Sequence, residues 1–189
     1  MAQKSTVFKA EIQVNDLDRQ YYHAHAVTLA RHPSETNERM LVRLLAFALN
    51  ADPALGFGNG LSTDNEPDLW QKDPTGLITL WIDVGLPEAK LLKKAAGRAQ
   101  RVVVYAYGRN VDRWWAESEA ELARFDNLAV WSLAERATTA LSALAERTMR
   151  LNCTIQDQVV TLADGETLVE IEPVVLKSHT RRSQGLARK

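Results

Sequence analysis

Apolar and polar residues alternate along STVFKAEIQV, residues 5 to 14, with Phe8, Ala10, Ile12 and Val14 on one side and Lys9, Glu11 and Gln13 on the other. A period of two is the signature of a half-buried strand. The turn-rich NDLD follows, and a second run, 19 to 31, ends in VTLAR, so a β-hairpin is predicted. After Arg31-His32-Pro33 the period lengthens: Met40, Leu41, Leu44, Leu45, Ala48 and Leu49 mark one stripe of a helix from about Pro33 to Asn50. Pro33 at the first helical position and Glu35 in the first turn serve as start signals. DPALGFGNGLSTDNEPD, 52 to 68, is rich in Gly, Asp, Asn and Pro and reads as loop with room for a short strand.

From Gly76 onward strands and helices alternate. LITLWIDV (77 to 84) leads to a helix from about Glu88 to Gln100, and VVVYAY (102 to 107) to a helix from about Val111 to Arg124. NLAVWSL (127 to 133) leads to a helix over about 134 to 145. Short apolar strands joined by helices of about a dozen residues imply parallel pairing with right-handed crossovers. The chain then returns to β-structure in TMRLNCTIQ, QVVTLA and ETLVEIEPVVL, with an Asp164-Gly165 turn between the last two. The sum predicts an α/β roll: one mixed sheet wrapped around a few helices, with antiparallel strands at both ends of the chain.

At 189 residues, 46% of them hydrophobic, one core can serve the whole chain. We expect a single domain over 1–176 and a basic tail over 177–189, KSHTRRSQGLARK, with five Lys or Arg and no acid. Such a tail reads as a solvated terminus or as a phosphate-contacting arm. The formal net charge of −1 removes the overall basic field of many nucleic-acid binders, so any such contact must be local. No apolar run approaches signal-peptide or membrane-span length, and a cytoplasmic protein with no membrane association is expected. The single Cys153 excludes an intramolecular disulfide and reads as a small buried hydrophobe.

Three acids stand out. Glu38 shares a helix side with Leu41, Leu45 and Leu49, whereas Glu35 is expected to point away. Asp68 follows Pro67 at the end of the long loop. Asp83 ends an apolar strand on the face of Thr79 and Trp81, where strand ends in α/β sheets open into a crevice. A carboxylate there must be hydrated, paired or bound to a cation, and three such groups suit Mg²⁺ or Mn²⁺. Glu38 is also placed to pair with Arg31, Arg39 or Arg43, and Asp68 reads equally as turn chemistry.

In order and context, Glu38, Pro67-Asp68 and Asp83-Val84-Gly85 resemble the signature of the PD-(D/E)XK nuclease-like superfamily. Over nearly its full length the chain resembles the YaeQ family, through ARHPSETNERM (30 to 40), DNEPDLW (64 to 70), LWIDVGLP (80 to 87) and NLAVW (127 to 131). The resemblance implies a restriction-endonuclease-like core in which Asp68, Asp83 and the backbone of Val84 hold Mg²⁺ or Mn²⁺, with Glu38 supporting them. The implied activity is cleavage of nucleic-acid phosphodiesters. Gly85 stands where the superfamily carries a lysine.

A replacement cation is sought on the next helix, EAKLLKKAAGRAQ, whose apolar face is Leu91, Leu92, Ala95, Ala96 and Ala99. Lys94 is the first choice, with Arg98 as its phosphate-binding companion and Lys93 as the alternative. All three read equally as solvated charges on an amphipathic helix. The rival function is a non-catalytic nucleic-acid or protein-binding module, of a kind that could serve transcription. His23 and His25 share a strand face without a third ligand, His32 is a capping candidate, and Trp114, Trp115 and Trp131 read as core.

Overall fold

The structure is a computed structural model that describes residues 5–58 and 66–179. The opening alternation forms the expected hairpin. Strands β1 (Thr6–Asp16) and β2 (Tyr21–Arg31) pair antiparallel from Thr6 opposite Arg31 to Asp16 opposite Tyr21, and β1 buries Phe8, Ala10, Ile12 and Val14. Helix α1 (Asn37–Leu49) starts four residues later than Pro33. The reason is local: Pro33 and Ser34 form a turn, and the Thr36 hydroxyl accepts the N–H of Arg39 at 3.1 Å, capping the first turn. His32, a capping candidate from sequence, instead pairs its ring with the Ser34 hydroxyl at 2.6 Å.

The remaining elements are β3 (Leu55–Phe57), β4 (Leu69–Lys72), β5 (Ile78–Val84), α2 (Ala89–Arg98), β6 (Val102–Tyr107), α3 (Val111–Leu122), β7 (Leu128–Leu133) and α4 (Glu135–Leu141). A 3-10 turn (Ser142–Leu144) leads to β8 (Thr148–Gln156), β9 (Val159–Ala163), β10 (Leu168–Ile171) and β11 (Val174–Lys177). They make two mixed sheets, where a single sheet was expected. One runs β10-β9-β8-β1-β2, with β1 parallel to β8; the other runs β11-β7-β6-β5-β4-β3, with β5, β6 and β7 parallel as predicted. The run ETLVEIEPVVL, read as one strand, divides at Glu172-Pro173. Proline offers no N–H to a ladder, so pairing stops there; β10 stays in the first sheet and β11 pairs with β7 in the second.

Between the sheets lies α1. Every residue from Met40 to Ala48 is buried, so the helix is enclosed on all sides and not along one stripe. The inner core draws on β1, β8 and β9 from one sheet and on Leu69, Ile82, Val84, Val103 and Tyr105 from the other. On the far face of the second sheet, Leu92, Ala95 and Ala99 from the α2 segment and Leu122 from α3 pack on Trp81, Val102, Val104 and Val130 in a smaller core. Trp114 and Trp115 pack against that outer core and Trp131 against the inner one. Cys153 is a buried free thiol whose pKa burial pushes up to about 12. No helix among the described residues is long and apolar enough to cross a membrane. Lys177, where the basic tail was expected to begin, closes β11 and donates its ammonium to the carbonyls of Phe125 and Leu128; residues 180–189 lie outside the described chain.

Full enclosure of α1 includes a charge. Arg43, 1% exposed, is neutralised by Glu35, 4% exposed: Arg43 Nε reaches Oε1 and Nη2 reaches Oε2, each at 2.8 Å, while Nη2 also donates to the Ala30 carbonyl at 3.1 Å. Glu35 was expected to point away, but it precedes the helix, and its side chain folds back beneath it. Removing one partner of such a pair strands the other charge out of water. Glu35→Ala should therefore lower unfolding free energy in urea by about 3–5 kcal/mol, and the double replacement Glu35→Leu/Arg43→Met should recover most of that loss.

Candidate functional site

Alternation along β5 sends Leu80, Ile82 and Val84 into the inner core and Trp81 and Asp83 toward the opposite side. Antiparallel pairing of Leu69 with Ile82, continued by one residue, brings Asp68 opposite Asp83 at the carboxyl end of β5. Asp68 is 6% exposed. Its Oδ2 accepts the Val84 N–H at 2.8 Å, and Arg39 Nη2 donates to Oδ1 at 2.8 Å and to Oδ2 at 3.0 Å. Arg39 also reaches Glu35 Oε1 at 3.1 Å through Nη1, so one guanidinium bridges two buried carboxylates. Burial lowers its pKa, but Asp68 and Glu35 carry it above the usual value.

Asp83 accepts the indole N–H of Trp81 on Oδ2 at 2.9 Å. Burial raises its pKa from 3.8 to about 7; the Asp68 charge adds to the rise, while hydrogen bonds from Trp81 and the Asp68 backbone oppose it. Glu38 accepts the Thr138 hydroxyl of α4 at 2.7 Å and is thereby tied to that helix. Of the arginines expected as its partners, Arg39 and Arg43 serve Glu35, and Arg31 donates to Asn37. At the end of β6, Tyr107 lies within electrostatic reach of Arg39, Glu38, Asp68 and Glu35, and burial raises its phenol pKa to about 12.

Asp68, Asp83 and Val84 are thus brought together, with Arg39 in their midst. Glu38 stands at the margin, and among the described residues no three His, Cys, Asp or Glu side chains are arranged to hold a metal ion. On α2, Lys93 and Lys94 are exposed. Arg98 lies toward the strand: its guanidinium is 5.3 Å from the Trp81 ring, which in turn binds Asp83. Gly85 has φ +98°, and a Cβ there would meet nothing closer than Tyr107 at 3.9 Å. Backbone conformation, and not lack of space, disfavours a lysine at this position.

The YaeQ protein family model matches residues 1–173. The chain belongs to the YaeQ family. It is 44% identical over 173 residues to YaeQ of Salmonella typhi, covering 91% of this chain and 96% of that one, and 43% identical over 172 residues to YaeQ of Escherichia coli K12, covering 90% and 95%. The crystal structure of YaeQ from Xanthomonas axonopodis pv. citri superposes with a TM-score of 0.90 at 47% identity, covering 92% of this chain and 99% of that one. YaeQ from Pseudomonas syringae gives 0.88 at 33% identity, covering 92% and 97%. The two-sheet architecture is therefore that of solved YaeQ proteins.

Sequence reasoning overlooked Arg39 as a site residue, and with it Glu35, Tyr107 and Thr138. Tyr107 could have been found from its place at the end of a parallel strand beside that of Asp83. Thr138 lies 100 residues from Glu38 and gives no local signal.

Two outcomes follow from this geometry. An acid whose pKa is raised on folding binds more protons in the native state, so its contribution to stability is present below the unfolded value and is lost as pH rises from about 4 to about 7. Asp83→Asn should flatten that part of the stability profile in urea titrations, and the Asp83 carboxyl carbon should titrate near pH 7 by NMR in the wild type. Gly85→Lys should cost about 1–2 kcal/mol, read as a lowered urea midpoint, because of its positive φ.

Proposed function

We propose that the carboxyl end of β5 is the divalent-cation site of a nuclease-like protein that acts on nucleic-acid phosphodiesters, and that the second sheet with its helices corresponds to a restriction-endonuclease-like core. The observation that carries this reading is that two largely enclosed carboxylates lie together, Asp68 just before β4 and Asp83 near the end of β5, with the Val84 backbone beside them. Asp68, Asp83 and the Val84 carbonyl are the ligands. An all-oxygen donor set of this kind suits Mg²⁺ or Mn²⁺. The chemistry such an ion supplies is activation of water and stabilisation of charge on the phosphate.

The chain's own residues set the conditions. Arg39 already neutralises Asp68, so a cation competes with a guanidinium, and weak, millimolar binding is expected. Glu38, held by Thr138, supports the acidic pair from α1. Lys94 serves as the migrated catalytic cation, Lys93 is its alternative, and Arg98, seated over Trp81, contacts phosphate. One observation favours the second reading, a non-catalytic binding module: the position expected to carry lysine is a glycine in a conformation that resists side chains.

Calorimetric titration with Mn²⁺ should show saturable uptake by the wild type and none by Asp83→Ala. DNA and RNA incubated with Mn²⁺ should be cleaved, with cleavage abolished in Asp83→Asn and strongly reduced in Lys94→Ala. Absence of Mn²⁺ uptake at millimolar concentration overturns the cation site. Uptake without cleavage of either nucleic acid leaves the binding module.

A further inference from the structure

A cavity of about 370 Å³ opens at the opposite end of α1 from the acidic pair. The 13 residues of the helix, at about 1.5 Å each, separate the two places by roughly 20 Å. Leu49, Val103, Ala129, Trp131 and Ile155 give the cavity a mostly apolar lining, contributed by α1 and both sheets. Its size falls within the roughly 300–1,000 Å³ of small-molecule sites, which combine apolar walls with a few placed polar groups.

Beside Gln158, Ser178 and His179, the polar lining consists of two acids and of donors that differ in how far they are engaged. Both acids already accept hydrogen bonds within the protein. Asp16, 2% exposed, takes the main-chain N–H and the guanidinium of Arg19, and Asp18 takes the N–H groups of Asp157 and Gln158, each at 2.9 Å. Arg19 is turned to the carbonyl of Ala48 in the last turn of α1 and to that of Ala51 just beyond the helix, each at 3.4 Å. The donors are not committed in the same way. Tyr105 accepts from Asn50 Nδ2 at 2.7 Å. The amide orientation follows from its other contacts: Nδ2 also donates to the Ala46 carbonyl at 2.9 Å, and Oδ1 faces Arg101 Nη2 at 3.4 Å. Since its oxygen receives the Asn50 hydrogen, the Tyr105 hydroxyl keeps its own proton to give. Arg101, exposed at the mouth, has no ion pair among the described residues.

We propose that this cavity binds a small amphipathic carboxylate, with its apolar body against Val103, Ala129 and Trp131 and its carboxylate on the Tyr105 hydroxyl and the Arg101 guanidinium. An amine meets the like charge of Arg101, and a neutral alcohol leaves Arg101 without a counter-charge. The site is independent of the cation reading, because it shares no residue with the acidic pair.

Octanoate and 3-phenylpropanoate serve as probes of a straight-chain and an aromatic body, with octan-1-ol and octylamine as neutral and cationic controls, followed by amide shifts of the full chain in NMR. At least one acid should give saturable shifts centred on Val103, Ala129 and Trp131, with both controls at least about tenfold weaker. Arg101→Gln and Tyr105→Phe should each weaken the acid about tenfold, the loss expected for one charged hydrogen bond. Val175→Trp, at a 45% exposed rim position, should obstruct entry. Arg101→Gln alters an exposed side chain and keeps the test valid should Tyr105→Phe unfold. No saturable shift with either acid up to about 5 mM, equal affinity for a control, or undiminished binding to Arg101→Gln overturns the proposal.

Discussion

Glu35 holds two arginines at once, and the interior of the protein is arranged around that fact. Through Oε1 and Oε2 it neutralises Arg43, which could not otherwise lie within a helix buried on every side; through Oε1 it also takes Arg39. A buried guanidinium without a partner is costly enough that α1 can pass between two sheets only with this carboxylate beneath its first turn. The same contact aims Arg39 at Asp68, and Asp68 in turn anchors the Val84 N–H at the end of β5. Core packing and site geometry are thus joined through Arg43, Glu35, Arg39 and Asp68.

Position follows from that arrangement. Because α1 lies between the sheets, its first turn meets the carboxyl end of β5 and its last turn meets the start of β6. One end gathers Asp68, Asp83, Tyr107 and Glu38, and the other gathers Asn50, Tyr105 and Arg101 around an apolar cavity. The two ends differ in electrostatic character. At the first, burial, with the Asp68 charge adding to it, pushes Asp83 toward neutrality, and Arg39 is the counter-charge of Asp68. At the second, Asp18 accepts two main-chain N–H groups and Arg101 stands as an exposed cation at the mouth.

Much of the secondary structure was legible from periodicity. The hairpin, the parallel β5-β6-β7 centre and the α2 face of Leu92, Ala95 and Ala99 follow from periods of two and near 3.6, because local burial is written into neighbouring positions. The start of α1 was misread because Pro33 and Glu35 are sound start signals taken singly, whereas the Thr36 cap and the inward turn of Glu35 depend on one another and on Arg43. The existence of two sheets was hidden in Glu172-Pro173, where one continuous-looking run changes partner.

For the site, sequence alone determined which acids the chain has, that Asp83 ends an apolar strand with Gly85 two residues on, and that the motifs are those of the YaeQ family. These are properties of residue type and spacing, and they survive without knowledge of contacts. Tertiary structure alone decided that Asp68 lies beside Asp83, that Arg39 neutralises Asp68, and that Glu38 turns to Thr138. The physical reason is range: hydrogen bonds and charge pairs act over a few ångströms, and the fold brings within that distance residues that the chain separates by as many as 100 positions.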